Sequence, residues 1–455
     1  MLKKNDRIQL RIDSVTSEGH GIGRLDGMAV FVPMTAPGDL VDVQLVKVQQ
    51  RYCYGIVRQV IDPSPQRIQP DCPVFQRCGG CSLRHLDYAA ELAAKGQWVA
   101  DAVTRLGHLD VPVQPILPSP LLDGYRNKAQ YPLGKDAQGH AICGFFAPRT
   151  HTLVPAAGCR LQPPLFDQLS GVVCGYLDQV GGSIYDEAAG QGLFRHLYLR
   201  QAQQTGQVMV CLVVNGREIP QPQLLIDRLR AASPQVASIL LNHNTRNTNV
   251  ILGDKNTLLW GSETITDTLC GIQVELSPHS FYQVNRQGAQ QLYAAAARLA
   301  GLEDGQLLLD LYCGAGTIGL SMVRDKPGCR LIGVEIVEAA VENARRNATR
   351  AGIAAAEFMA ADAGQAAAQL SAQGLRPHVV VVDPPRKGCD QPTLEALLAM
   401  APQRIVYISC NPATLARDAA RLAAQGYAPQ VAQPVDHFPR TNHVETCVLL
   451  SHKNS

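Results

Sequence analysis

The sequence predicts an α/β protein in three parts: a small β-barrel of the oligonucleotide-binding (OB) type, a central α+β domain, and a Rossmann-like doubly wound domain. Residues 1–61 contain short strands of alternating polarity separated by glycines, and from about residue 286 helices and strands alternate regularly. Short strands between glycines are typical of small barrels, and strands alternating with helices are typical of doubly wound sheets. We therefore expect domains at 1–61, 62–275 and 276–455.

The composition permits a large globular protein and gives no global sign of nucleic-acid binding. Of the 455 residues 46% are apolar, and at ~150 residues per domain the length suits two to four domains. Lysine and arginine number 41 against 39 acidic residues, so the formal charge is only +2 and RNA contacts must come from local patches. A polar N-terminus and no apolar run of ~20 residues predict a cytoplasmic protein with no membrane contact.

The elements follow from periodicity and from the placement of glycine and proline. In the barrel, glycines are predicted to break the chain into five strands, four of which lie at 7–13, 28–33, 40–48 and 54–60. A linker at 62–65 and a cysteine-bearing loop at 72–81 precede a helix over about 88–107, a candidate for packing on the C-terminal domain. In that domain, helices at 286–300, 316–324 and 337–351 alternate with strands at 306–312, 329–335, 379–383 and 404–409.

The ends of the predicted parallel strands carry the features of a cofactor site. The first strand ends in a glycine-rich turn, DLYCGAGTIG at 310–319, and Glu335 ends the second strand, where a carboxylate is placed to bind ribose hydroxyls. Asp362 follows the third strand and Asp383, in DPP, follows the fourth. A nicotinamide cofactor would suit the spacing, but the turn lacks G-x-G-x-x-G and the last two elements are typical of methyltransferases. We expect S-adenosylmethionine (SAM) in one crevice at this edge.

Cys410, in YISCNPATL at 407–415, is predicted at the same edge of the sheet as a nucleophile. A helix that begins near Ala413 is expected to lower the pKa of its thiol through the helix dipole. Carbon 5 of uracil becomes able to accept a methyl group once a thiolate has added to carbon 6, and a base must then remove the carbon-5 proton. Glu445 is the candidate base and His443 its rival, while Asp383 is a candidate for sharing between cofactor and uracil.

These motifs resemble the RNA uridine-5-methyltransferase family, specifically the bacterial 23S ribosomal RNA enzymes. The matching pieces are SFYQVN at 280–285, DLYCGAGTIGL at 310–320, GVE at 333–335, DPPRKG at 383–388, SCNP at 409–412 and HVE at 443–445. The resemblance implies methyl transfer from SAM to carbon 5 of a uridine in 23S rRNA, with Cys410 as nucleophile and Glu445 as proton acceptor. It also implies cofactor contacts from Gln283, Tyr312, Thr317, Glu335, Asp362 and Asp383. Thr317 stands where some relatives have asparagine.

Four cysteines form a candidate metal or cluster site. Cys72, Cys78 and Cys81 are spaced C-x5-C-x2-C in a polar loop, and Cys159 follows in a Gly-Cys-Arg sequence. Four thiolates suit either zinc or a [4Fe-4S] cluster, and the spacing alone leaves both open. The family resemblance implies the [4Fe-4S] cluster. Because methyl transfer needs no electron, we expect a structural or RNA-positioning role that ties the loop to the central domain.

Several segments are predicted to contact RNA. The barrel resembles the TRAM module of RNA-modifying enzymes through GHGIG at 19–23 and FVP at 31–33. Further candidates are the segment 125–128, the pair Arg195 and His196, and Arg200. An enzyme that modifies a base ring must lift that base out of its stack, and Phe281 is a candidate to stack on it. We expect a monomer acting on loops or bulges of folded RNA.

Three alternatives compete with this reading. An amino methyltransferase shares the cofactor turn and a D/N-P-P motif, but it usually has an aromatic residue where Arg386 stands and it needs no thiol. A binding scaffold without catalysis would be expected to lack one of Glu335, Asp383, Cys410 or Glu445, and all four are present. A transfer-RNA enzyme is expected to match only the catalytic half, without barrel and cysteine loop. Ribosomal RNA is therefore favoured.

Overall fold

The computed structural model of the protein describes residues 2–453, and within them 22 strands form four sheets. The first sheet is the N-terminal barrel, which curls so that β1 approaches β3, and its strand order is β1-β5-β6-β4-β3-β2. Its strands are β1 (Arg7–Arg11), β2 (Ser14–Val15), β3 (His20–Leu25), β4 (Met28–Pro33), β5 (Leu40–Val48) and β6 (Tyr52–Asp62). Alternate residues of these strands point inward, and Leu10, Val30 and Val43 are among those that fill the interior.

The barrel has six strands where the sequence predicts five, and two glycines expected to break strands lie inside β3. A Cβ atom at Gly21 would lie 1.9 Å from Thr35 Oγ1, and one at Gly23 would lie 2.2 Å from the carbonyl oxygen of Arg11. Glycine serves here to let backbone and side chains of neighbouring segments approach closely, which a strand tolerates at tight curvature. The prediction of a break at these two positions is therefore wrong.

The central part of the chain forms a second, seven-stranded sheet with order β13-β12-β11-β10-β7-β8-β9. Helices α3 and α4 cover one face of it, and the core between them contains Phe166, Val173, Leu197 and Val210. The elements are α1 (Phe75–Cys78), α2 (Tyr88–Asp101) with a π-helical continuation (Ala102–Leu106), β7 (Lys128–Lys135), β8 (Ala141–Phe146), β9 (Leu153–Pro155), α3 (Pro164–Gln179), β10 (Phe194–Gln201), β11 (Val208–Val214), α4 (Pro222–Ala232), β12 (Val236–His243) and β13 (Lys255–Gly261).

The C-terminal sheet is doubly wound, as the sequence predicts. A hairpin of β14 (Ile265–Leu269) and β15 (Ile272–Leu276) precedes it. Its own elements are α5 (Arg286–Ala300), β16 (Leu307–Leu311), α6 (Thr317–Val323), β17 (Arg330–Glu335), α7 (Glu338–Arg350), β18 (Ala356–Ala360), α8 (Ala363–Ala372), β19 (Val379–Val382), α9 (Gln391–Met400), β20 (Arg404–Ser409), α10 (Pro412–Ala424), β21 (Tyr427–Val435) and β22 (Glu445–His452). The strand order is β18-β17-β16-β19-β20-β22-β21, and only the contacts of β22 are antiparallel.

Both faces of this sheet are buried, which explains its continuous apolar strands. Leu308, Val379 and Val381 belong to the core on one face, to which the hairpin β14–β15 also contributes. Leu309 and Val380 belong to the core on the other face, where α2 and its π-helical continuation pack. Parallel sheets covered on both faces read as apolar runs for this reason. Among residues 2–453, no helix is long and apolar enough to cross a membrane.

A buried ionic network joins α2 to the segment 436–445, which leads into β22. The Lys95 ammonium donates hydrogen bonds to Glu91 Oε1 (2.8 Å), to Asp436 Oδ1 (2.7 Å) and to the Phe438 carbonyl (3.1 Å). Arg440 completes the balance of charge through its guanidinium, 3.4 Å from Glu91 Oε2, and its backbone amide also donates to Glu91 Oε1 (2.6 Å). The Lys95, Glu91 and Asp436 side chains are completely buried. Two cations and two anions thus satisfy one another away from water.

The same segment receives contacts from three other parts of the chain. The backbone amides of Ser82 and Leu83, which follow the cysteine loop, both donate to the Arg440 carbonyl, at 3.0 and 3.1 Å. The Tyr125 hydroxyl donates to the Pro439 carbonyl at 2.9 Å. The Asn442 amide donates to the carbonyl of Ser17 in the barrel at 2.9 Å. All parts of the molecule therefore meet at 436–445.

We expect the variant Lys95→Met to be strongly destabilised, because it leaves the buried Asp436 carboxylate without a cation and Glu91 with Arg440 alone. Removing one partner from a buried ion pair costs ~3–5 kcal/mol. Thermal unfolding should show a Tm several degrees below that of the wild type. Lys255→Met, at an exposed position at the start of β13, is the control and should leave the Tm unchanged. Equal Tm values for the two variants would contradict the network's contribution.

Candidate active site

One cleft of about 1040 Å³ lies at the carboxyl ends of the parallel strands, where the sequence places the cofactor and reaction sites. It contains all of the residues that were predicted to bind the cofactor and both that were predicted to carry the reaction. These lining residues are Gln283, Tyr312, Thr317, Glu335, Asp362, Asp383, Cys410 and Glu445. Phe281, His443 and Arg386 line the same cleft. Most of these residues end or follow parallel strands of the C-terminal sheet, whereas Gln283 follows the β14–β15 hairpin and Glu445 begins the antiparallel strand β22.

The glycine-rich turn holds the carboxylate of Glu335 in place. Tyr312, Gly314 and Gly316 all have positive φ, at 64°, 55° and 75°, and the turn that they form brings the Gly314 amide 3.1 Å from Glu335 Oε2. The Val337 amide donates to the other carboxylate oxygen at 3.0 Å. A non-glycine residue such as Tyr312 at positive φ is uncommon and clusters at functional sites. Glu335 is thereby held at the start of the cleft.

Two apolar side chains and a second carboxylate line the cleft together with Glu335. Ile336 and Val337 are 68% and 54% exposed, although both are large apolar residues next to a buried strand. Asp362 caps α8, and its Oδ1 accepts from the amides of Gly364 and Gln365 at 3.1 Å each. Exposed apolar side chains beside fixed carboxylates suit a ligand with a flat apolar ring and hydroxyl groups.

The reaction end of the cleft concentrates carboxyl groups around a thiol. Burial raises the pKa of Asp383 to about 7. Burial and the nearby Asp383 together raise the pKa of Glu445 to about 8, although Arg386 opposes this shift. The charged form of each carboxylate is disfavoured because little water reaches it. Glu445 is only 6% exposed. It is the last residue of the segment 436–445 and the first residue of β22.

The pKa of the Cys410 thiol is raised, whereas the sequence led us to expect that a helix dipole would lower it. The helix α10 does begin at Pro412, close behind Cys410. Burial raises the pKa most, and the carboxylates of Glu445 and Asp383 add to the effect, while Arg386 lowers it through a hydrogen bond and its charge. Burial, with the neighbouring carboxylates, thus outweighs the expected influence of the helix on the pKa of Cys410.

Arg386 lies beside Cys410 in the cleft, although the sequence analysis gave it no role there. Its guanidinium interacts with Cys410 and contacts His443 Nδ1 at 2.9 Å. The only signal was its position directly after DPP, at the same sheet edge as Cys410. His443 is kept neutral by burial and by Arg386, which together lower its pKa to about 4.

Most of the other residues predicted to touch RNA are buried instead. Tyr125 and Asn127 are inside, and the Asn127 amide donates to the Gln283 carbonyl at 2.8 Å. Arg195 donates to the carbonyls of the 244–248 loop, and His196 is buried next to it. Arg200 is 1% exposed and donates to the carbonyls of Ser277 and Ser280, at 2.8 and 2.7 Å. These predictions are wrong, because the polar groups serve to hold loops in place.

Arg126 and Lys128, from the same predicted segment, do reach the cleft. Both line it, and both also line a second cavity of about 280 Å³. Burial and the charges of Arg200 and Arg126 lower the pKa of Lys128 to about 8. A positive wall therefore separates the two cavities.

The second cavity is lined by all four cysteines of the predicted cluster site, Cys72, Cys78, Cys81 and Cys159. Arg84 also lines this second cavity. Its side chain is 4% exposed and forms ion pairs of 2.7 Å with Asp71 and with Asp123. Over residues 2–453, no group of three or more His, Cys, Asp or Glu side chains is arranged to hold a metal ion. The thiols share a cavity without forming a closed ligand set.

Comparisons with known proteins agree with this geometry. The family model for tRNA (uracil-5-)-methyltransferases matches residues 223–453, and that for the TRAM domain matches residues 2–57. An uncharacterised RNA methyltransferase of Halalkalibacterium halodurans is 41% identical over 454 residues, which cover 100% of this chain and 98% of the relative. Another, of Clostridium tetani, is 38% identical over 451 residues, which cover 99% and 97%. The chain therefore belongs to the RNA (uracil-5-)-methyltransferase family.

A solved structure extends the similarity to the whole chain. Pyrococcus abyssi tRNA (uracil-54, C5)-methyltransferase, in complex with S-adenosyl-L-homocysteine, has a TM-score of 0.78 and 27% identity. The match covers 97% of this chain and 100% of that chain. The protein is a SAM-dependent RNA methyltransferase with an N-terminal TRAM domain, as the sequence predicts. The expectation that a transfer-RNA enzyme would match only the catalytic half is wrong.

We expect the pKa of the Cys410 thiol to fall in Glu445→Gln and to rise in Arg386→Met. Above about pH 8 wild-type Glu445 is ionised, so its negative charge opposes the thiolate, and the glutamine variant should be alkylated faster there. The rate of iodoacetamide modification at Cys410, followed by peptide mass spectrometry against pH, measures this. Glu263→Gln, at an exposed position, is the control. Shifts of the same sign in both active-site variants would contradict the assigned electrostatics.

Proposed function

We propose that the protein methylates carbon 5 of a specific uridine in 23S rRNA through a covalent adduct between Cys410 and carbon 6 of the uracil. The observation that carries this proposal is that Cys410, Glu445 and Asp383 share one cleft with the glycine-rich turn and Glu335. An amino methyltransferase has no use for a thiol in this position. A scaffold without catalysis has no use for carboxyl groups whose pKa is raised towards neutrality.

The proposed reaction uses Cys410 as nucleophile, Glu445 as base and Arg386 to favour the thiolate. The Cys410 thiolate forms a bond to carbon 6, and the electron pair of the 5,6 double bond moves to carbon 5 and the neighbouring carbonyl. Carbon 5 then takes a methyl group from a sulfonium, whose carbon–sulfur bond breaks and leaves its electron pair on the sulfur of a neutral thioether. Glu445 removes the proton from carbon 5, the double bond re-forms, and the bond between sulfur and carbon 6 breaks. Arg386, next to Cys410, favours the thiolate that starts the sequence.

Glu445 suits the role of base better than His443. A useful general base has a pKa near the working pH, and the pKa of Glu445 is raised to about 8 while that of His443 is lowered to about 4. His443 is neutral and is a weak proton acceptor. We therefore assign His443 to holding Arg386, which it contacts at 2.9 Å.

The cofactor residues fit SAM, which supplies an electrophilic methyl group on its sulfonium. We propose that Glu335 binds the ribose hydroxyls and that the exposed Ile336 and Val337 pack on the adenine ring. Asp362 and Asp383 hold the polar ends, with Gln283, Tyr312 and Thr317 lining the remainder of the site. Thr317 is positioned by the Tyr293 hydroxyl, 3.2 Å from its own.

Two RNAs compete as the substrate. The motif resemblance to bacterial 23S rRNA enzymes supports ribosomal RNA. The similarity to a Pyrococcus abyssi tRNA methyltransferase, which covers 97% of this chain, supports transfer RNA as the second candidate, since the match is not confined to the catalytic half. Carbon 5 of uridine is the target atom in both cases.

We also propose that Cys72, Cys78, Cys81 and Cys159 hold a [4Fe-4S] cluster. Their convergence on one cavity supports this, as does the motif resemblance, which favours an iron-sulfur cluster over zinc. The cluster would fix the loop that donates to Arg440.

The same proposal includes a monomer with three domains, at 1–61, 62–275 and 276–455. The packing of α2 and of the β14–β15 hairpin against the C-terminal sheet supports a close association between the second and third domains.

Mapping of 5-methyluridine by mass spectrometry tests the main proposal. The anaerobically purified protein with SAM should methylate one or more uridines in unmodified 23S rRNA, and Cys410→Ala should form no product. Cys174→Ala, which changes a cysteine of α3, should keep full activity. Glu445→Gln should accumulate a covalent complex with RNA on a denaturing gel, because the adduct cannot lose its carbon-5 proton.

Each result has a clear reading. Product only in transfer RNA would replace 23S rRNA by the second candidate. Methylation that survives without Cys410 would show that the adduct mechanism is wrong.

The variant Cys81→Ser tests the proposed cluster. Wild-type protein purified without oxygen should be brown and contain iron and sulfide, and the variant should be colourless and bind RNA poorly. Cys174→Ser is the matched control and should keep its colour. A colourless, stable Cys81→Ser protein of near-normal activity would contradict the proposed role, and bound zinc in the wild type would contradict the cluster itself.

A further inference from the structure

A buried carboxylate on α10 lies outside the cleft and takes no part in the proposed chemistry. Asp418 is completely buried. Its Oδ2 accepts hydrogen bonds from the Tyr407 hydroxyl at 2.7 Å and from the backbone amide of Cys389 at 2.9 Å. Arg417 donates to its Oδ1 at 2.8 Å. Both carboxylate oxygens therefore have partners, and two of the three donors lie outside α10.

The same helix holds the backbone of Arg386. The Arg386 carbonyl accepts hydrogen bonds from Asn411 Nδ2 and from the Thr414 hydroxyl, each at 3.2 Å. Asn411 directly follows Cys410, and its side chain also caps α10 by accepting from the Ala413 amide at 3.1 Å. The nucleophile and the arginine beside it are therefore both fixed relative to one helix.

The next residues of the loop 386–389 lie directly against α10. The Lys387 carbonyl accepts from the Arg417 guanidinium at 2.9 Å. Gly388 has a φ of 82°, and a Cβ atom there would lie 2.4 Å from Asp418 Oδ2 and 2.5 Å from Arg417 Nη2. Glycine permits both this backbone conformation and this close approach. Side chains of α10 therefore bind backbone groups at both ends of the loop and in between.

The position of this loop matters to the thiol because the loop carries Arg386. Three charged groups act on Cys410: the carboxyl groups of Glu445 and Asp383 raise the pKa of the thiol, and Arg386 lowers it. The effect of a charge falls with distance. Loops whose backbone groups are not bound are mobile. The effect of Arg386 on the thiol therefore depends on the bonds between its loop and α10.

We propose that Asp418 is a positioning residue, which holds the loop 386–389 so that Arg386 stays beside the Cys410 thiol. This inference rests on the role of Arg386 in the proposed function. Asp418 acts through the backbone amide of Cys389 and does not line the cleft. The helix that follows the nucleophile thus also fixes the cation that favours the ionised form of the nucleophile.

The pH dependence of iodoacetamide modification at Cys410 tests the proposal. Asp418→Asn keeps the size of the side chain but replaces one acceptor oxygen by an NH2 group, so the loop is held less firmly. The pKa of the Cys410 thiol should rise by about half a unit or more. Thr414→Val, which removes one donor to the Arg386 carbonyl, should shift it in the same direction. Asp227→Asn, at an exposed position on α4, is the matched control and should leave the profile unchanged.

A double-mutant cycle separates positioning from a general loss of structure. In an Arg386→Met background there is no guanidinium to misplace, so Asp418→Asn should cause no further shift in the pKa of the thiol. An equal shift in both backgrounds would overturn the proposal, as would an unchanged profile in Asp418→Asn. If Asp418→Asn does not fold, Thr414→Val replaces it in the cycle, and the same two results decide.

Turnover separates this inference from the proposed function. If neither 23S rRNA nor transfer RNA is methylated, the proposed function fails, while the alkylation profiles still decide the role of Asp418. With whichever RNA is methylated, Asp418→Asn should lower kcat about threefold at neutral pH, because half a pKa unit changes the thiolate fraction by that factor. The KM for RNA should stay unchanged, and the loss in kcat should diminish as the pH rises and the thiolate forms. A loss that is equal at every pH would contradict an effect through the thiol.

Discussion

The active site depends on a buried lysine that lies far from the chemistry. Lys95 of α2 satisfies Glu91 and Asp436, and so it fixes the beginning of the segment 436–445, whose last residue is the proposed base. Buried charges are stabilising only when each has its partner and its hydrogen bonds. The network therefore specifies one position for the segment. Any other position would expose carboxylates to an apolar core.

The reaction site shows how one protein can keep a thiol and two carboxyl groups close together. Burial raises the pKa of Glu445 to about 8 and that of Asp383 to about 7, so neither carries a full negative charge at neutral pH. Three full negative charges so close together would repel one another strongly. Arg386 supplies a positive charge beside the thiol and lowers its pKa. The negative charge of the site therefore stays low until the thiolate reacts with the substrate.

Much of the C-terminal domain was predictable because local signals and topology agree there. The helix at 286–300 and the strand at 404–409 begin and end as predicted, and the motifs converge because the carboxyl ends of parallel strands share one edge. The burial of Arg200 and the interaction of Arg386 with Cys410 were not predictable. They depend on contacts between segments far apart in sequence, for which a single chain carries no local pattern. The breaks predicted at Gly21 and Gly23 were wrong for the same reason, since the groups to which these glycines lie close belong to other segments.

The hydrogen bonds that join distant parts of the chain to the segment 436–445 also affect how the protein folds during synthesis. Asn442 bonds to Ser17 across 425 residues and to Ser82 across 360. The strand β22 then inserts between β20 and β21, in the interior of the sheet and not at its edge. On the ribosome the barrel and most of the C-terminal sheet can fold early, but the sheet is complete only after β22 has been synthesised. A nascent chain that lacks β22 therefore holds no complete active site, since Glu445 begins that strand.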